Sequence, residues 1–264
     1  MSHVLDAAAP GAAPRSNLFL SLAGGLAAIL AGAAFWFIAA SGLAFALLWA
    51  LGGSSAVAAL GAQLQGLSPA LLARDADGAT GLFFLACVLY ACVAAGVVTY
   101  ARLRAPPARE AMLAWRGIPR LRARDAWWLL PMAAYHALAT TLVRWVSPDY
   151  AMNLFIPLEP AALILSFFAV VVLAPLAEEL FFRGWLYGVL RARLSGVVAV
   201  LLCAAVFALA HWDGSGLYPL AVFLPGLALT LVRARTGSAQ ASAFVHSVYN
   251  CIGWAGLVVI SAMR

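Results

Sequence analysis

Apolar runs of about 20 residues recur along this chain, parted by short clusters of arginine, proline and glycine. At about 1.5 Å of rise per residue, each such run makes a helix roughly 30 Å long, the thickness of a bilayer's hydrocarbon core. The runs at 79–101, 126–146, 160–190, 195–212, 217–232 and 238–261 each predict one helix. The second of them opens with "AWWLL", an aromatic anchor of the kind found at membrane interfaces. The stretch from Leu18 to Leu51 is too long for one comfortable span. It predicts either one long tilted helix or two helices broken near Ser41-Gly42, the second reaching Leu64. The pattern therefore predicts an all-α, polytopic integral membrane bundle of about seven or eight transmembrane helices.

Composition agrees. The 264 residues are 65% hydrophobic and 10% charged, with a mean hydropathy of +0.97, whereas a soluble domain is about a quarter charged. Residues 1–16, rich in alanine and proline, predict a disordered tail. The apolar run behind them exceeds the roughly 7–15 residues of a signal-peptide core, which predicts an anchor that stays. The formal net charge is +6, and all sixteen cations are arginines. An alanine-rich, lysine-free composition points to a GC-rich bacterial genome, and so to a bacterial inner membrane. Seven arginines lie in 102–125, and Arg191, Arg193, Arg233 and Arg235 end later runs. The opposite connections carry Asp149, Glu159 and Asp213 instead. This alternation predicts cytoplasmic arginine loops and gives no case for nucleic acid as a partner. Cys87, Cys92, Cys203 and Cys251 fall in apolar runs without a Cys-x-x-Cys pair and read as small buried hydrophobes. The chain thus divides into the tail, N-terminal helices over 17–101, an arginine-rich cytoplasmic loop over 102–125 and a core over 126–264.

Ionisable side chains cost roughly 2.5–3.5 kcal/mol each at mid-membrane, so those present are candidates for function. This chain has Glu178, Glu179, Arg183, His211 and His246, with Asn250 as a polar companion. His136 stands apart, and no role is assigned to it. In "AEELFFRGW", 177–185, Glu179 and Arg183 are four apart and share a helix face as an ion pair, while Glu178 points about 100° away. One carboxylate is thereby neutralised and the other is left for chemistry. "FALAH", from Phe207 to His211, and "HSVYN", from His246 to Asn250, repeat the four-residue spacing. Counted from the arginine loops, Glu178 lies about 18 Å deep, His211 about 24 Å, His246 about 12 Å and Asn250 about 18 Å. Three helices bring polar groups to similar depths, as a shared wet cavity requires.

These ordered motifs resemble those of the CPBP family of intramembrane proteases, which includes the type II CAAX prenyl endopeptidases: Glu-Glu-x-x-x-Arg, Phe-x-x-x-His and His-x-x-x-Asn on successive helices. The resemblance covers about 115–260. It implies an intramembrane endopeptidase acting on a membrane-anchored protein or peptide, with the lipid bilayer as its solvent. Glu178 would be the general base, His211 would help hold the attacking water, and His246 and Asn250 would donate to the oxyanion. Glu179 and Arg183 would orient Glu178, and Phe207 would pack the cavity wall. Candidate substrates are a C-terminal tail, a bacteriocin or a signal peptide; a prenylated tail fits poorly in a bacterium. Glu178, His211 and His246 could also ligate Zn²⁺, although no His-Glu-x-x-His helix is present. The reading leans towards no tightly bound metal.

Two other classes compete. An ion- or proton-coupled transporter could use Glu178, His211 and His246 as a relay, but no inverted repeat supports it. A non-catalytic immunity or scaffold protein would need neither His246 nor Asn250.

Overall fold

The computed structural model describes residues 17–65, 76–104, 110, 129–146, 156, 158–212 and 217–263. The tail 1–16, most of the loop 102–125, Trp127, Trp128 and the connections 147–155 and 213–216 lie outside the described residues. Among the described residues there are seven helices and no strand. They are α1 (Leu18–Gln65), α2 (Ala76–Arg102), α3 (Leu129–Val146), α4 (Pro160–Arg191), α5 (Gly196–Leu209), α6 (Leu217–Thr236) and α7 (Ala239–Ala262). Within these, Leu18–Ala44, Thr80–Arg102, Pro160–Arg191, Tyr218–Thr236 and Ala239–Ala262 are each long and apolar enough to cross a membrane. The chain is a multi-pass integral membrane protein.

Sequence signals set most helix ends. Pro160 occupies the first turn of α4, where its missing N–H costs nothing. Ser195 caps α5 and Ser238 caps α7, each accepting from a backbone N–H three residues on. Between α6 and α7 the chain reverses at Gly237, whose φ of 70° favours a residue without Cβ.

One open alternative is settled and two expectations are revised. The Leu18–Leu51 stretch belongs to a single helix that runs unbroken through Ser41-Gly42 for 48 residues. The helix expected over 195–212 ends at Leu209, so His211 sits in a turn rather than on a helix. Of the four cysteines only Cys92 and Cys203 are buried; Cys87 and Cys251 are half-buried.

Helix α4 is not a regular α-helix. Phe168–Leu173 and Glu179–Leu186 are π-helical, flanking the short α-helical segment Ala174–Glu178. Pro175 supplies a cause for the first, because its ring would clash with the carbonyl four residues earlier in an α-helix. In the second, the Tyr187 N–H reaches back five residues to the Phe182 carbonyl. That carbonyl also accepts from the Cys203 thiol at 3.4 Å, and the Arg183 carbonyl accepts from Arg233 Nε at 3.0 Å. Such π turns are common at functional sites.

Two apolar clusters hold the helices. One joins Ile29 of α1, Val97 and Tyr100 of α2, Leu180 and Trp185 of α4, and Cys203 and Phe207 of α5. The other joins Met132 of α3, Leu229 and Val232 of α6, and Ala241 and Val245 of α7. Without a hydrophobic drive between helices in lipid, close backbone approach matters. At the α1–α2 crossing, a Cβ on Gly96 would stand 2.6 Å from the Ile29 carbonyl oxygen and 2.7 Å from the Ala33 nitrogen. Both are backbone atoms and cannot yield. Gly96→Val is therefore expected to cost about 2–3 kcal/mol, read as a lower unfolding midpoint in detergent. Gly42→Val, at a position with nothing within 4 Å, is expected to leave the midpoint unchanged.

Candidate active site

The polar groups gather at the seam between the two clusters. Arg183 is fully buried and spends its guanidinium on three acceptors. Its Nη1 donates to Glu179 Oε1 at 2.7 Å, Nη2 to the Gly226 carbonyl at 2.8 Å and Nε to Thr230 Oγ1 at 3.3 Å. The cation also lies 4.3 Å from the centre of the Phe207 ring. Glu179, equally buried, accepts in turn from Ser242 Oγ at 2.7 Å on Oε2 and from His246 Nδ1 at 3.0 Å on Oε1. The ion pair read from the spacing is present, and it reaches across to α6 and α7.

Glu178 faces elsewhere. Its side chain is 14% exposed while that of Glu179 is closed off. Its Oε2 stands 3.9 Å from Nε2 of His211 and 3.9 Å from Nε2 of His246. These spacings are beyond direct hydrogen bonding but can be spanned by one water with two bonds of about 2.8 Å.

The hydrogen-bond partner at Nδ1 assigns which nitrogen of each histidine carries the proton. Helix α5 has ended by Leu209, and the His211 N–H bonds the Ala208 carbonyl instead of that of Phe207. The Phe207 carbonyl, one of the orphan acceptors of a helix end, then takes His211 Nδ1 at 2.7 Å. A carbonyl only accepts, so Nδ1 bears the hydrogen and Nε2 is left with a lone pair in the neutral ring. His246 Nδ1 faces the Arg183-paired Glu179 carboxylate and is assigned the same way. Both Nε2 atoms thus converge on one oxygen of Glu178, that of His211 offering a lone pair in the neutral ring and that of His246 able to carry a second hydrogen while Nδ1–H stays on Glu179. The Phe-x-x-x-His spacing acquires a backbone meaning, since Phe207 supplies both the ring beneath Arg183 and the carbonyl that aims His211.

Asn250 stands further along α7. Its Nδ2 donates to the Val170 carbonyl, in the first π segment, at 2.8 Å. An amide nitrogen has two hydrogens, so this bond fixes the group and leaves a second donor.

The donor types would suit Zn²⁺: two imidazole nitrogens whose other N–H groups are held by oxygen, plus a carboxylate. The spacing does not suit it. Bonds of about 2.0–2.1 Å in a tetrahedral shell place donors about 3.3 Å apart, against the 3.9 Å from Glu178 to each histidine. Among the described residues no group of three His, Cys, Asp or Glu side chains is arranged to hold a metal ion. No step below is routed through one.

Sequence reasoning passed over several participants. Ser242 continues the four-residue spacing of His246 and Asn250 on α7, and that repeat could have singled it out. Gly226 and Thr230 repeat it on α6, where the Thr230 hydroxyl donates to the Gly226 carbonyl at 2.7 Å. Tyr90 of α2 is close enough to Glu178 to interact with its charge, and Tyr218 lies edge-on to His211 with ring centroids 5.8 Å apart. Ser242→Ala removes a charge-assisted bond between α7 and α4. It is expected to cost about 1–2 kcal/mol, read as a lower unfolding midpoint in detergent.

Residues 160–252 match the family described as Type II CAAX prenyl endopeptidase Rce1-like. Neither a curated protein nor a solved structure matches the chain. The matched segment opens on the first residue of α4 and closes within α7, taking in every residue of the three sequence motifs. It is a domain of the Rce1-like type II CAAX prenyl endopeptidase family, a family of proteases.

Proposed function

We propose that the chain is an intramembrane endopeptidase in which Glu178 is the general base for hydrolysis of a peptide bond in a membrane-anchored protein or peptide. The observation that carries this reading is the convergence of His211 Nε2 and His246 Nε2 on Glu178 Oε2, each at 3.9 Å. A water bound there donates to Glu178 and to the His211 lone pair. Its oxygen attacks the amide carbonyl carbon as its proton passes to the Glu178 carboxylate. The negative oxygen that develops is met by the second N–H of Asn250 and by Nε2–H of a doubly protonated His246, whose Nδ1–H stays on Glu179. Glu178 then hands its proton to the leaving nitrogen, the C–N bond breaks, and the products are a carboxylic acid and an amine. Arg183, Ser242 and Thr230 touch no reacting atom; they hold Glu179, and through it His246.

The setting follows from the charge pattern. Arginines close α2, α4 and α6 at Arg102, Arg191 and Arg235, which supports a cytoplasmic face there. With α3 and α5 threaded among the five long apolar helices, the bundle has about seven spans, and the lysine-free composition supports a bacterial inner membrane.

The test compares the termini of membrane proteins, by mass spectrometry, in cells carrying the wild type or Glu178→Ala at matched expression. A small set of termini present only with the wild type is the expected result, and it yields the cleavage site. Identical termini, with a solute or ion flux that depends on Glu178, would replace this reading by a transport one.

A further inference from the structure

Aromatic side chains form an unbroken ladder from Trp185, which packs on α1, to the two histidines. Trp185 packs on Phe181 with ring centroids 5.0 Å apart, Phe181 on Phe182 at 4.9 Å, and Phe182 on Phe207 at 5.0 Å. Phe207 meets His211 at 4.6 Å and His246 at 6.0 Å. At the other end the Trp185 indole lies directly on α1: a Cβ added at Gly25 would stand 2.8 Å from its Cζ2 and Nε1. Trp185 is 3% exposed, and its Nε1 has no hydrogen-bond partner among the described residues. Nothing but packing therefore sets the position of this ring, and Gly25 is the surface it rests on. Close by, Arg193 just past α4 donates to Ser21 Oγ of α1 at 2.8 Å, which holds the two helices together.

We infer that Trp185 is a positioning residue, and that α1, which lies outside the family-matched segment, sets the placement of His211 and His246 through it. The physical basis is close packing. Interiors at crystal density pass displacement on rather than absorb it, and the edge-to-face steps, Phe181–Phe182, Phe182–Phe207 and Phe207–His246, have a preferred geometry that resists sliding. Shifting Trp185 moves Phe181 and Phe182, which lie in the same π segment as Arg183, and then Phe207. The Phe207 carbonyl aims His211, so the shift reaches the atoms around Glu178. The kinetic part of the test rests on the endopeptidase reading; the spectroscopic part does not.

The test is a bump and its relief. Gly25→Ala is expected to shift the imidazole ¹⁵N resonances of His211 and His246 in the detergent-solubilised full chain. On a synthetic peptide spanning the cleavage site found by the terminus comparison, it should lower kcat about 10- to 100-fold with KM nearly constant, the size of effect that a displacement of about 1 Å produces. Gly24→Ala, where nothing lies within 4 Å, should leave both readouts at wild type. Trp185→Phe placed on Gly25→Ala removes the overlap and should bring the resonances and kcat back towards wild type. Unchanged resonances in a folded Gly25→Ala protein would overturn the inference, as would equal shifts in Gly24→Ala. If Gly25→Ala does not fold, the double variant decides: wild-type resonances support the ladder, and displaced ones in a folded protein overturn it. Identical membrane-protein termini with and without Glu178 would defeat the endopeptidase reading alone, and the imidazole resonances would still judge the ladder.

Discussion

Glu178→Gln is expected to lower kcat by about 10²–10⁴-fold while leaving insertion and the unfolding midpoint unchanged. The substitution keeps the shape of the side chain and removes the oxygen that can take a proton, and a positioned base contributes a factor of that order. Stability should hold because, among the described residues, the side chain of Glu178 makes no approach shorter than the 3.9 Å to the histidines. The effect should fall on kcat and kcat/KM alike, since proton transfer occurs only on the way to the transition state. Steady-state rates on the peptide from the terminus comparison, alongside thermal unfolding in detergent, check both halves. A Glu178→Gln enzyme with wild-type turnover would remove the base from the mechanism.

The second large effect is on stability. Arg183→Met strands Glu179 in the interior, where its side chain has no exposure, with Ser242 and His246 as the remaining partners. Removing one member of a buried pair typically costs about 3–5 kcal/mol, enough to exhaust much of the 5–15 kcal/mol that folds an ordinary domain. The double variant Glu179→Gln/Arg183→Met has no stranded charge and should recover most of the lost midpoint. It should not recover activity, because the carboxylate that fixes His246 Nδ1 is gone. Equal instability of single and double variants, measured by chemical unfolding in detergent, would refute the ion-pair account.

These two variants separate residues that stand side by side in the chain, and the four-residue spacing made that separation legible in advance. Glu179 and Arg183 do pair, and Glu178 does face away. The all-α architecture was legible for the same reason: apolar length is a strong signal in lipid, where backbone groups must bond within the helix. Other features had no such signal. A π turn closes its rings one residue later than an α turn, and apart from Pro175 nothing in α4 announces it. The Glu179–His246 bond joins residues 67 apart, and a serine such as Ser242 is too common to stand out without its partner. The placement of His211 depended on where α5 stops, and a run of apolar residues through Ala210 concealed that end.

The early stop of α5 has a consequence for hydrolysis. Fourteen residues rise about 21 Å, some 9 Å less than the hydrocarbon core is thick. The last carbonyls of α5 are met within the turn itself, those of Val206, Ala208 and Leu209 by backbone N–H groups and that of Phe207 by His211, so this end is satisfied without help from lipid. What the short helix leaves is an opening beside that turn, where the side chain of His211 is 21% exposed and that of Glu178 14%. A protease buried in oil consumes one water per bond cut. In the proposed mechanism the same missing turn of helix that aims the imidazole leaves the opening by which water reaches Glu178, which would make supply and activation of the nucleophile a single piece of architecture.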